Sequence, residues 1–574
     1  MTTTRFGALA ALLACSATLL GLVAAPAQAQ TEIARTVHNL TPSGPGGVKA
    51  SQPAGVCLFC HTPHNANPTR ALWNRELPGV TYELYTSSTL RATLNQPTGT
   101  SRLCLSCHDG LLALGNLRVP PPTGPLTLGP LTGPDVLGTD LSDDHPISFV
   151  YDGLLAANRG DLVDPAGLPP TLPLDAEQQL QCTTCHNPHE DRLPHFLRMS
   201  NVGGAMCTAC HRPSYWSGSA HATSSATWKG TGTPPWSPDA GTTVAENACR
   251  NCHRTHAAGH GERLLARSDE LANCTVCHDG AVAARNVAQE FTDASKPSRH
   301  PIDSAPWTHD PKEDPATMPR HVTCVDCHNP HAATSEPGTP PLVSGALRGV
   351  SGVTLAGTPL AEASNEYEVC TKCHGPSEPT TIGITRMEPT RIVRAKIDPN
   401  NASYHPIAAP GRNPTVGGFV PGYTASSIIG CTDCHNNSDW TPTATAPKGA
   451  HASRYAPILE RNYETDDPAA ESLTTYDLCY KCHNRDYLVN DRANTFPHRE
   501  HVQEQQAPCA TCHDAHGSRQ NAHLINFMLR DLTGKTVVSP NSAGRLEYIS
   551  SGPGRGSCYL KCHGADHNPR SYPN

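Results

Sequence analysis

The chain has 574 residues, with 43 Lys and Arg against 51 Asp and Glu and a formal net charge of −8. An acidic balance without a basic stripe opposes nonspecific nucleic-acid binding, so no nucleic-acid partner is expected. Only 8 Phe, 6 Trp and 6 Met stand beside 54 Pro and 46 Gly. That excludes a large aromatic and aliphatic core and long regular elements, because proline breaks helices and central strands.

At the N-terminus Arg5 precedes an apolar stretch from Phe6 to Ala25 that closes on Ala27-Gln28-Ala29, a small-x-small cleavage pattern. Residues 1–29 therefore read as a secretory signal peptide. The alternative is a lipoprotein leader, with Leu12-Leu13-Ala14 ahead of a lipidated Cys15; against it, the apolar run continues well past Cys15. No later apolar run approaches the ~20 residues of a transmembrane helix. The expectation is an exported protein, periplasmic, extracellular or on the outer surface.

Beyond the leader come twelve cysteine pairs, each followed at once by histidine. In order they are Cys57 and Cys60 with His61, Cys104 and Cys107 with His108, Cys182 and Cys185 with His186, and Cys207 and Cys210 with His211. Next come Cys249 and Cys252 with His253, Cys274 and Cys277 with His278, Cys324 and Cys327 with His328, and Cys370 and Cys373 with His374. The last four are Cys431 and Cys434 with His435, Cys479 and Cys482 with His483, Cys509 and Cys512 with His513, and Cys558 and Cys562 with His563. The twelfth pair is one residue longer than the eleven C-x-x-C-H copies. C-x-x-C-H is the attachment signature of c-type haem, in which two thiols bond the porphyrin edge and the histidine binds iron. A disulfide framework would not specify the residue after each pair. C-x-x-C is a good zinc half-site, but adjacent Cys and His side chains diverge and rarely share one tetrahedral ion. Twelve covalently bound haem c groups are expected.

The other histidines fall into register with the motifs, which group into six pairs. One histidine leads each pair: His38, His145, His221, His300, His405 and His498. Another lies three residues after the first proximal histidine in five pairs: His64, His189, His256, His331 and His516. In the fifth pair that position is Ser438, and His451 is the nearest substitute. Six leaders and six followers supply one distal ligand per iron, an internal repeat of two-haem units. A follower can hardly wrap round its own porphyrin and more readily reaches a neighbouring iron. Of the seven remaining histidines (His195, His260, His309, His321, His501, His523 and His567), His501 and His567 are the strongest reserve ligands.

The units are expected at 30–140, 141–218, 219–295, 296–400, 401–490 and 491–574. Their boundaries lie in Pro/Gly-rich stretches such as Pro120 to Gly133, Pro165 to Pro173, Gly230 to Gly241 and Thr339 to Pro359. The expected fold class is mostly irregular with short α-helices, elongated, built around haem, with few or no β-hairpins. No segment sustains a 3.6 or 2.0 periodicity that argues otherwise.

The run from His38 through Cys57-Leu-Phe-Cys-His-Thr-Pro-His64, Leu72-Trp73-Asn74, Cys104-Leu-Ser-Cys-His108-Asp-Gly110 and Asp144-His145-Pro-Ile147 resembles bacterial multihaem cytochromes of the doubled-CxxCH class. The C-terminal run is similar to a recurrent module of the same class: CYKCHNRD from Cys479, FPHREHV from Phe496, CATCHDAHG from Cys509, HLINF from His523 and CYLKCHGADHNP from Cys558. The resemblance implies bis-histidine haems in a closely spaced chain and respiratory electron transfer across the periplasm or to extracellular acceptors. Implied partners are other redox proteins and cytochromes and extracellular metal acceptors, and the resemblance allows self-association into filaments. Departures at the twelfth motif and at Ser438 put the ligation of those two haems in question.

No C-x-x-C-K motif, the usual mark of an open catalytic haem, occurs. Histidines suffice to close every sixth position, which favours an electron carrier without catalytic residues. The competing reading is a multihaem oxidoreductase with one open-site haem, to be sought first in the fifth unit.

Overall fold

The computed structural model describes residues 33–69, 72–237, 241–302, 321–375, 383–413, 416–490 and 495–573. The expected signal peptide, Cys15 and His309 lie outside the described residues. Among those residues no helix is long and apolar enough to cross a membrane.

Attachment motifs lie on short helical turns. Single turns span Cys182–Cys185, Ala205–Thr208, Asp477–Tyr480 and Cys509–Cys512, and 3-10 turns span Val56–Phe59, Cys324–Asp326 and Cys431–Asp433. In eight motifs the proximal histidine N–H donates to the carbonyl of the first cysteine, as from His211 to Cys207 (2.8 Å) and from His435 to Cys431 (2.8 Å). This i→i−4 bond winds both cysteines and the histidine onto one turn. The two longest helices, Gly99–His108 and Glu366–His374, each end on a proximal histidine. Asn365 and Glu368 start the latter as a reciprocal capping box.

The chain divides into two compact units. The first holds residues up to Leu77 with Leu112–Pro130 and Cys185–Arg198. Its small core is Ala50, Phe59 and Leu126. Buried Asn74 donates to the Leu58 (2.7 Å) and Val119 (3.0 Å) carbonyls, tying the first attachment turn to the proline-rich loop. Segment 185–198 belongs to the second sequence repeat yet packs in this unit, so the repeats interlock rather than forming separate beads.

The second unit holds Pro78–Leu111, Leu131–Thr184 and everything from Met199 onward. Its apolar clusters are small and separate. Two-residue antiparallel ladders join distant repeats: Ser298–Arg299 pairs with Ala452–Ser453, and Ser403–Tyr404 with Gly517–Ser518. The C-terminus departs from the expectation of few or no hairpins. Strands Glu547–Gly552, Arg555–Cys562 and Ala565–Tyr572 form an antiparallel meander, with Val538–Ser539 added beside the middle strand. Its inner face supplies Tyr548 and Leu560 to a cluster with Phe527, Met528 and Val538. Glycines in the turns, Gly554 (φ 68°) and Gly564 (φ 79°), permit the tight reversals.

Candidate haem-binding sites

Five of the six first motifs are followed by a loop that returns against them. Antiparallel bridges join His61 to Trp73, His186 to Leu197, His253 to Leu265, His435 to Leu459 and His513 to Ile525. The return strand donates to the second cysteine's carbonyl, from Asn74 to Cys60, Arg198 to Cys185, Ala266 to Cys252, Glu460 to Cys434 and Asn526 to Cys512. Left-handed residues such as His195, Arg263 and His523 make the reversal. Their carbonyls then face the proximal rings. Nδ1 lies 2.7 Å from the His195 oxygen in His186, 2.8 Å from Arg263 in His253 and 2.8 Å from His523 in His513. His328 meets Ala346 (2.9 Å), His435 meets Pro457 (3.0 Å) and His108 meets Asp135 (2.8 Å) in the same way.

A carbonyl only accepts, so Nδ1 must carry the proton and the Nε2 lone pair is left pointing away. That is the tautomer a metal-binding imidazole needs, with its other nitrogen fixed by an acceptor. The leaders obey the same rule. Nδ1 of His38 meets Pro188 O (3.2 Å), His145 meets Pro146 O (3.0 Å), His221 meets Pro330 O (2.9 Å), His300 meets Ala450 O (2.8 Å) and His405 meets Ala515 O. Two followers are held by carboxylates instead: His256 by Asp144 (2.9 Å) and His516, at 3.8 Å, by Asp514.

Eight proximal rings face a second histidine. Ring centroids are 6.3 Å apart for His61 and His189, 6.3 Å for His253 and His331, 6.1 Å for His328 and His451, and 6.2 Å for His435 and His516. They are 6.3 Å apart for His211 and His145, 6.2 Å for His278 and His221, 6.3 Å for His374 and His300, and 6.5 Å for His483 and His405. An imidazole nitrogen binds a metal at about 2.0–2.1 Å and lies about 1.2 Å from its ring centre, so two rings across one ion stand about 6.4 Å apart. The observed spacing fits one iron per pair.

The pairing follows an order. Four leaders, His145, His221, His300 and His405, face the second proximal histidine of their own unit, and four followers, His189, His331, His451 and His516, face the first proximal histidine of the preceding unit. The leader and the next unit's follower are stapled together: His145 N–H donates to Thr255 O (2.8 Å), His300 to His451 O (3.3 Å) and His405 to His516 O (3.2 Å). His451, the substitute follower of the fifth unit, takes its place against His328, while the fifth unit's own His435 faces His516. Among the described residues no ring stands across from His64, which is exposed, or from His513. His498 packs edge-on to Phe496 (4.9 Å), and His563 is bonded to Asp467.

Two regularities were not legible in the sequence. Ring planes at the first motifs are nearly parallel (17°, 24°, 16° and 3°), whereas those at the second motifs are inclined by 78°, 73°, 50° and 31°. The attachment cysteines also meet in sequence order. Thiols of neighbouring motifs lie side by side, Cys104 with Cys182, Cys207 with Cys249, Cys274 with Cys324, Cys370 with Cys431 and Cys479 with Cys509. Between these pairs, Cys277 lies near Cys252, Cys370 near Cys327, Cys482 near Cys434, and Cys558 near Cys512. From Cys207 to Cys562 the motifs form an unbroken series of neighbours.

Burial acts on the same residues. It pulls His211 and His451 down to about 3 and His278, His331, His435 and His483 down to about 4, helped by the facing histidine in each case. These rings are neutral at pH 7, the state in which imidazole binds metal.

The doubled CXXCH motif family matches residues 175–214 and 242–283, the segments that hold the motif pairs at Cys182 and Cys207 and at Cys249 and Cys274. These two matches are consistent with a multihaem c-type cytochrome, and the doubled-CXXCH family is one of electron-transfer cytochromes c. No curated protein matches it.

Proposed function

We propose that this chain is a dodecahaem cytochrome that carries electrons along a series of bis-histidine haems in anaerobic or extracellular respiration. The observation that carries this reading is the set of facing imidazoles at the spacing of a shared metal, supported by the succession of neighbouring attachment motifs from Cys207 to Cys562. Haem, when bound, supplies an iron that accepts and releases single electrons. The polypeptide anchors each ring through two cysteines, fixes the ligand tautomer through Nδ1, and holds successive sites adjacent. Closed bis-imidazole ligation disfavours substrate binding at iron and favours low potentials relative to Met/His ligation. We assign the protein to the space outside the cytoplasm, periplasmic or at the outer surface, with other redox proteins or extracellular metal acceptors as partners.

Intact mass and carbon monoxide titration test this reading together. Twelve haem additions and no carbon monoxide adduct on the reduced protein are expected. A stoichiometric adduct would contradict a closed conduit and favour an enzyme with one open iron.

A further inference from the structure

The twelfth motif is the one whose spacing differs, and its surroundings differ too. Cys558 and Cys562 lie on strand Arg555–Cys562, not on a helical turn. Side chains alternate along a strand, so residues two apart share a face. The additional residue of this motif puts Cys558, Leu560 and Cys562 on one face; with the usual spacing the two cysteines would point to opposite faces. Both cysteines pack beside the cluster that Leu560 enters. A register break between Cys558 and Leu560 marks an irregularity in the strand there.

The residue directly across from Leu560 is His567. Opposed residues of an antiparallel pair point to the same side, so His567 stands on the face that carries both cysteines. Its ring faces His501 with centroids 6.4 Å apart and planes inclined by 86°. That distance lies within the spread of the eight proximal pairs, and the steep angle is nearest the 78° of His145 and His211, a second motif like the twelfth.

The two elements are braced against each other. Arg570 Nη2 lies 3.0 Å from both carboxylate oxygens of Glu500. Phe496 packs on the His501 ring (4.7 Å) and edge-on to Tyr572 (4.9 Å). His501 Nδ1 donates to Pro497 O (3.0 Å), which leaves its Nε2 lone pair available as in the other leaders.

His563, the residue the motif would nominate, has the opposite arrangement. It sits at the turn with φ 48°, and its Nε2 lies 2.7 Å from Oδ1 of buried Asp467. A carboxylate that also accepts from the Thr511 hydroxyl (3.0 Å) holds the nitrogen that iron would need.

We propose that the twelfth iron is held between His567 and His501, with Cys558 and Cys562 as its anchors and His563 as a structural donor to Asp467. The assignment rests on the multihaem reading above and replaces His563 and His498 as ligands at this site.

The test uses full-length holoprotein carrying His567→Ala or His501→Ala, neither of which alters the cysteines or the adjacent histidine that define attachment. Intact mass on the parent protein checks the multihaem reading separately, through its haem count. In each variant the haem count should equal the parent's, and one haem in twelve should pass from low to high spin in electron paramagnetic resonance. Added imidazole should restore the low-spin signal. If both variants keep the parent spectrum, or the new high-spin signal ignores imidazole, the assignment is wrong.

Discussion

At the scale of single residues, buried charge fastens one attachment loop to another. Lys296 is 2% exposed and meets Glu290, Asp439 and the Asn437 side chain. Replacing one member of such a cluster leaves an uncompensated charge and costs about 3–5 kcal/mol. Lys296→Met is therefore expected to lower the denaturation midpoint markedly, read by chemical unfolding of the holoprotein. Glu471 plays a related part. Its carboxylate accepts from Arg485 (2.8 and 2.6 Å), the Tyr480 hydroxyl (2.9 Å) and Gln503 (3.0 Å), and so clasps the tenth attachment turn to the helix that bears His501. Arg485 first, then Gln503 and Tyr480, hold that carboxyl down to about 2 against the opposing effect of burial. A depressed carboxyl stabilises the fold above its unfolded value of about 4.3 and loses that contribution as pH falls towards 2. Glu471→Gln should flatten this part of the acid-unfolding curve and cost about 1–3 kcal/mol at pH 7.

At the scale of elements, the repeating device is the staple of a leader to the next unit's follower. Gly517, beside follower His516, shows how tight it is. Its φ of 157° and the Lys396 carbonyl, 2.1 Å from where a Cβ would stand, leave no room for a side chain. Gly517→Ala should push Ser403–Tyr404 and Gly517–Ser518 apart and perturb ligation at the irons facing His405 and His516. Loss of low-spin absorbance at two haems would register this, and an unchanged spectrum would mean the staple is dispensable. The sequence made this device only partly readable. That followers reach a neighbouring haem follows from the short C-H-x-P-H span, and His189 opposite His61 has that relation. The partners did not follow, because which histidine meets which ring depends on tertiary ladders with no local signature. His195 and His523 look like spare ligands in the sequence. Instead their left-handed backbones aim carbonyls at proximal rings. The C-terminal meander was likewise hidden, because an attachment motif is read first as a helical turn, and one inserted residue changed its period.

At the scale of the whole molecule, the facing ring planes are nearly parallel in four first-motif pairs and inclined by 31° to 78° in four second-motif pairs. The angle between the two imidazole planes sets the splitting of the iron d orbitals. Parallel planes give an ordinary rhombic low-spin ferric signal, and planes near perpendicular give one with a much larger principal g value. Low-temperature electron paramagnetic resonance of the oxidised holoprotein, with iron quantified on the same sample, decides whether the irons form a closed bis-histidine series. Low-spin signals that together account for all the iron are predicted, and a stoichiometric high-spin signal would contradict the closed series.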